Sequence, residues 1–123
     1  MKELTKAEDQ IMQILWKLKK TFVNDIIDEL PSPKPAYNTV STIVRILETK
    51  GFVDHKAYGK THEYFPLIAK EKYTRFYLNN MVKGHFDGSL QNLVSFFANE
   101  NKLSVNEIDQ LVKHLNEIKK EKK

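Results

Sequence analysis

The chain has 123 residues, 20 Lys+Arg against 16 Asp+Glu, no cysteine and 41% hydrophobic content. That length makes one compact domain or two very small ones, and 11% aromatic residues are enough to bury a core. The composition excludes disulfides, thiolate nucleophiles and Cys-ligated zinc. No apolar run is long enough for a bilayer span and no export signal is recognisable, so a cytoplasmic protein without membrane insertion is expected.

Charge is spread unevenly. Residues 21–33 carry Asp25, Asp28 and Glu29 without a base, whereas residues 34–60 carry Lys34, Arg45, Lys50, Lys56 and Lys60 against Glu48 and Asp54. A basic excess of this size supports nucleic-acid binding only weakly by itself.

Thr5-Lys6-Ala7-Glu8 has the form of a capping box, and Ala7, Ile11, Ile14, Leu15 and Leu18 then follow one helical face, predicting a helix over about residues 6–19. A short helix with Ile26, Ile27 and Leu30 follows at about 23–30. Pro31-Ser32-Pro33-Lys34-Pro35 cannot continue it, because proline lacks the amide hydrogen and restricts its predecessor. A third helix is expected from about Ala36 to Lys50, with Val40, Ile43, Val44 and Leu47 buried and Gly51 as its stop. Phe52–Tyr58 and Thr61–Phe65 flank Gly59-Lys60 and read as a β-hairpin ended by Pro66.

From Ala69 the pattern is helical again. Tyr73, Phe76, Tyr77 and Met81 stripe one helix; Leu90, Leu93, Val94 and Phe97 stripe a second. Ser104-Val105-Asn106-Glu107 opens a third as another capping box, with Ile108, Leu111, Leu115 and Ile118 spaced like a short coiled-coil seam.

Three helices followed by a two-stranded hairpin predict a winged helix-turn-helix. The fold class is therefore mainly α, with a winged-helix DNA-binding domain over residues 1–68 and a three-helix dimerisation domain over 69–123. On the third helix, Asn38, Ser41, Thr42, Arg45 and Thr49 project opposite the buried stripe, and Thr39 lies between the two faces. This face has no carboxylate, as a surface between two rows of phosphates requires. Hydroxyls suit phosphates or base edges, Asn38 can pair with adenine, and Arg45 with guanine or a phosphate. Lys34 and Tyr37 near the connector, and Lys56, Lys60 and His62 on the hairpin, are expected on the DNA backbone. Tyr58 suits packing or contact equally.

The C-terminal helices carry too much apolar surface for their size. A two-fold dimer would cover it, through Tyr73, Phe76, Tyr77, Leu90, Leu93, Phe96, Phe97, Ile108, Leu111 and Leu115. Two recognition helices held about 34 Å apart would then read a palindrome.

The sequence resembles the penicillinase-repressor and methicillin-resistance-regulator family of bacterial winged-helix repressors. The resemblance is carried by Leu4–Glu8 leading to Ile14-Leu15-Trp16, by Tyr37–Thr42 continuing to Leu47–Val53, by Tyr64-Phe65-Pro66-Leu67, by Gly88-Ser89-Leu90 and by Leu103-Ser104. It implies a homodimeric, nucleoid-associated transcriptional repressor on a palindromic operator, commonly built on TACA/TGTA half-sites. Thr39, Ser41 and Thr42 match positions where the family touches DNA. Ile46 departs from the family, many members of which place arginine there. In the antibiotic-resistance branch a membrane sensor metalloprotease ends repression by cutting an Asn-Phe bond. The corresponding pair here is Phe96-Phe97, without the asparagine. The paired cysteines of the copper-responsive branch are absent, which excludes that mechanism.

No cofactor and no metal are expected, since His55, His62, His85 and His114 lack a ligand spacing. No nucleophile elbow or phosphate-cradling glycine motif is present, so the chain is not expected to be an enzyme. Two alternatives stay open: a winged-helix adaptor for protein contact, and a repressor gated by a small ligand lined by Tyr64, Tyr73 and Tyr77.

Overall fold

A computed structural model of the chain describes residues 1–122. The element order is α1 (Lys6–Leu18), α2 (Val23–Glu29), α3 (Tyr37–Thr49), β1 (Val53–Tyr58), β2 (Thr61–Pro66), α4 (Lys70–His85), α5 (Leu90–Glu100) and α6 (Val105–Glu121). This is the mainly helical, winged order read from the periodicity. No helix among the described residues is long and apolar enough to cross a membrane.

The chain divides into two compact units, Met1–Tyr77 and a second from Leu78 onward. The first is a three-helix core with the hairpin against it. Ile11, Met12 and Leu15 of α1, Ile26 of α2, and Val40, Val44 and Leu47 of α3 are buried together with Phe52, Val53 and Tyr64. Both residues of the α1 capping box act as expected: Glu8 N–H donates to Thr5 Oγ1 and Thr5 N–H to Glu8 Oε1. Strands β1 and β2 are antiparallel, with His55 opposite Tyr64 and Lys56 opposite Glu63. Thr21 adds a single bridge to Tyr64, with N–H···O distances of 2.9 and 2.8 Å in the two directions. The hairpin is thereby tied to the loop between α1 and α2.

The boundary falls inside α4, beyond the expected break after residue 68, and Tyr73 is the reason. Expected at a dimer interface, Tyr73 is instead 6% exposed in the core of the first unit. Its ring lies 5.7 Å from that of Phe52 and 6.0 Å from that of Trp16. Its hydroxyl accepts the Leu4 N–H at 2.8 Å, and Trp16 Nε1 donates to the Ile68 carbonyl at 2.9 Å. Phe76 packs at the edge of the same core. With Tyr73 in that core and Phe76 against it, the first turns of α4 belong to the first unit.

The second unit has a different character. Ser89 caps α5, and Ser104 with Glu107 forms the second capping box, at the start of α6. Phe86 and Phe96 pack with ring centres 5.7 Å apart. Yet no residue of α5 or α6 is buried within the single chain. Leu90, Val94, Phe96, Phe97, Ile108, Leu111, Val112 and Leu115 are all exposed.

Candidate nucleic-acid interface

Helix α3 follows a proline-rich connector whose Lys34 ammonium donates to the carbonyls of Asp28, at 2.8 Å, and Leu30. Those carbonyls end α2, so Lys34 serves as a cation at a helix C-terminus and its ammonium is engaged within the protein. Tyr37, the first residue of α3, is exposed.

Along α3, the side chains of Asn38, Thr39, Thr42, Arg45 and Thr49 are all exposed. Ser41 is not. It was expected on the outward face, but it is 5% exposed, and its Oγ accepts a hydrogen bond from Arg45 Nη2 at 3.2 Å. Ser41 stands at the border of the buried stripe, one residue after Val40, and a side chain this short is covered where a longer one would emerge. It supports the arginine from beneath. Thr42 Oγ1 donates to the Asn38 carbonyl at 2.8 Å and Thr49 Oγ1 to the Arg45 carbonyl at 3.1 Å. Their hydroxyl protons are committed to their own helix. Outward they offer lone pairs and methyl groups.

Ile46, an apolar residue on this polar face, is 42% exposed. It lies with Thr42, Arg45, Thr49 and Lys50 around a shallow depression of about 300 Å3. The signal was present in the spacing, because Thr42, Ile46 and Thr49 follow i, i+4, i+7. An apolar residue is simply not sought on a polar face.

The remaining charges near α3 are paired. Lys50 Nζ lies 3.0 and 2.8 Å from the two carboxylate oxygens of Glu8, so its charge is matched within the protein. Burial works to raise the Glu8 pKa, but the Lys50 and Thr5 hydrogen bonds and the Lys50 charge outweigh it and hold the carboxyl below its ordinary range. Glu48, the acidic residue of α3, meets His55 Nδ1 at 2.5 Å. The groups free to meet DNA on this side are thus Arg45 and the hairpin lysines, not all five bases of residues 34–60.

On the hairpin, Lys56 and Lys60 are exposed, and the Lys56 ammonium sits 5.3 Å from the centre of the Tyr58 ring. Tyr58 packs edge-on against Phe22 at 6.3 Å while remaining half open to solvent. His62 is half-buried, stacked on His55 with ring centres 4.1 Å apart. It belongs to an aromatic cluster with Tyr64 more than to the tip. Burial, reinforced by the Glu48 charge and opposed by that of Arg45, raises the Tyr64 pKa.

Among the described residues, Glu48, Asp54 and His55 bring three donor atoms within 4.8 Å, a grouping that their sequence spacing does not announce. Glu48 Oε2 and His55 Nδ1 are already engaged with one another, and Asp54 Oδ1 accepts the His55 backbone N–H at 2.8 Å. A depression of about 430 Å3 at the start of α1 is lined by Leu4, Asp9, Gln13, Tyr73 and Tyr77. Tyr64 and Tyr73, proposed for a ligand pocket, are core residues.

A helix with an acid-free outward face beside a hairpin that exposes Lys56 and Lys60 defines the class: a winged-helix DNA-binding protein. The sequence model of the penicillinase repressor family matches residues 4–117, and the chain belongs to that family. Its members are transcriptional repressors and not enzymes. The chain is 33% identical over 119 residues to the methicillin resistance regulatory protein MecI of Staphylococcus aureus strain N315, covering 93% of this chain and 94% of that protein. It is 29% identical over 126 residues to the penicillinase repressor of Bacillus licheniformis, covering 98% and 95% of the two chains. The solution structure of the DNA-binding domain of the repressor BlaI superposes with a TM-score of 0.50 at 28% identity, over 59% of this chain and 94% of that one.

Proposed function

We propose that this DNA-binding repressor acts as a homodimer on a palindromic operator. Helix α3 of each protomer enters a major groove, and the β1–β2 hairpin lies along the backbone. The observation that carries this reading is the outward face of α3, where Asn38, Thr39, Thr42, Arg45 and Thr49 are exposed together and no unpaired carboxylate intrudes. Phosphates line both edges of the groove, so a bare carboxylate there would be repelled. Tyr37, Lys56 and Lys60 take backbone contacts; Lys34 and His62, engaged within the protein, contribute less.

Dimerisation is supported by the second unit, where α5 and α6 bury nothing within one chain. Helices of this kind need a partner surface, and a second copy supplies a self-complementary one. The interface comprises Tyr77, Leu90, Leu93, Phe96, Phe97, Ile108, Leu111 and Leu115, without Tyr73 and Phe76, which pack in the first unit. Release by a sensor protease would cut at Phe96-Phe97, where both side chains are exposed on α5.

Mobility shift on the chain's own promoter across a salt series tests the reading. A dimer with six or more phosphate contacts loses about 10³-fold or more in affinity between 50 and 200 mM salt. Binding that is flat across salt, or equal on promoter and random duplex, rejects it.

A further inference from the structure

An isoleucine in the middle of a face built for DNA calls for an explanation. Ile46 is 42% exposed on the solvent side of α3, between Thr42 one turn before it and Thr49 one turn after. Both threonines have spent their hydroxyl protons on carbonyls of their own helix. Neither can donate to a phosphate without breaking that bond, and both carry a methyl group. The three residues with Arg45 and Lys50 surround the shallow depression on the same face. Lys50 is held by Glu8, and the Arg45 guanidinium is braced by Ser41. The centre of the face therefore offers methyl groups and acceptor lone pairs but no free hydroxyl donor, with the Arg45 cation at its side.

The major groove presents one apolar group, the C5-methyl of thymine. Phosphates and the donor and acceptor edges of the other bases gain nothing from an isoleucine, and leaving its surface in water gains nothing either. We infer that Ile46, flanked by Thr42 and Thr49, reads a thymine methyl in each half-site and so acts as a specificity-determining residue. The inference rests on the proposed entry of α3 into the major groove. A neighbouring guanine or phosphate suits Arg45, so the thymine would lie beside the group that Arg45 contacts.

The test uses the full-length chain and a high-affinity duplex selected from a randomised pool. Each thymine of the selected site is replaced in turn by deoxyuridine, which removes the methyl and changes no hydrogen-bonding group on the base. Burying one such carbon contributes about fourfold in affinity. The wild-type chain is expected to lose about that much at one symmetric pair of positions. The Ile46→Ala chain, binding more weakly throughout, should show no loss at that pair. Because the side chain is exposed, the variant's melting temperature should match the wild type and serves as the folding control. Equal deoxyuridine losses in both chains, or none in either, with sequence-specific binding intact, overturn the assignment of Ile46 alone. Failure of the pool to yield any preferred duplex overturns the groove reading and this inference with it.

Discussion

Arg45 stands on Ser41, one helical turn behind it, with Nη2 3.2 Å from the hydroxyl of a buried serine. The arginine is the exposed partner and the serine the concealed one. Two residues expected to share a task at the DNA surface are thus divided between contact and support.

The division has a measurable consequence. Arg45→Ala should weaken operator binding by about 1–3 kcal/mol. Ser41→Ala removes the brace and leaves the guanidinium in place, so its cost should be smaller, about 0.5–1 kcal/mol. Its salt slope should match the wild type, because no phosphate contact is lost. A Ser41→Ala defect as large as that of Arg45→Ala would mean that the serine itself meets DNA.

The buried Glu8 carboxylate should set the acid limit of the first unit. Its folded pKa lies below the ordinary value of 4.5, because the Lys50 and Thr5 contacts outweigh the cost of burial. The stabilisation it contributes is complete above that ordinary value and is lost as pH falls through the lower folded value. Glu8→Gln strands the Lys50 ammonium and should cost about 1–3 kcal/mol near neutral pH. Urea titrations from pH 7 downward should show the gap between variant and wild type closing in acid; a constant gap would contradict the linkage.

Two glycines should respond to alanine in opposite directions. Gly51 has φ +84°, and a Cβ there would meet nothing within 4 Å, so the penalty is backbone strain alone. Gly51→Ala should cost about 1 kcal/mol. Gly84 lies inside α4, also with open space around it, and outside the positive-φ region. Gly84→Ala, one residue from the end of α4, should stabilise by up to about 0.5 kcal/mol. Thermal melts of the two variants give both signs in one experiment.

Leu111 and Leu115 are exposed on α6 and belong to no core within the chain. The double substitution Leu111→Glu, Leu115→Glu should reduce the sedimentation mass to one protomer and lower operator affinity. Unfolding of the first unit, followed by Trp16 fluorescence, should be unchanged. A variant that still sediments as two chains would remove α6 from the interface.

The order of elements was legible because helix and hairpin signals are local. Capping boxes at Thr5 and Ser104, a glycine after Thr49-Lys50, and apolar spacing of three and four are read within a few residues of the place they act. The outward residues Asn38, Thr42, Arg45 and Thr49 followed from the same periodicity. Ile46 stood out in the sequence only as a departure from the family, and its apolar side chain gave no sign that it shares the exposed face between Thr42 and Thr49.

What periodicity could not supply was the side of a boundary. Ser41 stands where a helical stripe changes from covered to open, and its state depends on its own length and on what packs beside it. Tyr73 could serve a partner chain or its own first unit; the nearby rings of Trp16 and Phe52 decided for the second. Lys50 counts toward the basic excess of residues 34–60 in the sequence, but the fold brings Glu8 to it across 42 positions. Sequence alone determined which elements form and in what order, since hydrogen bonding and apolar spacing along one helix or strand are short-range. Tertiary structure alone decided which charges are matched and which polar groups are covered, since burial and pairing depend on distances between segments that are remote in the chain.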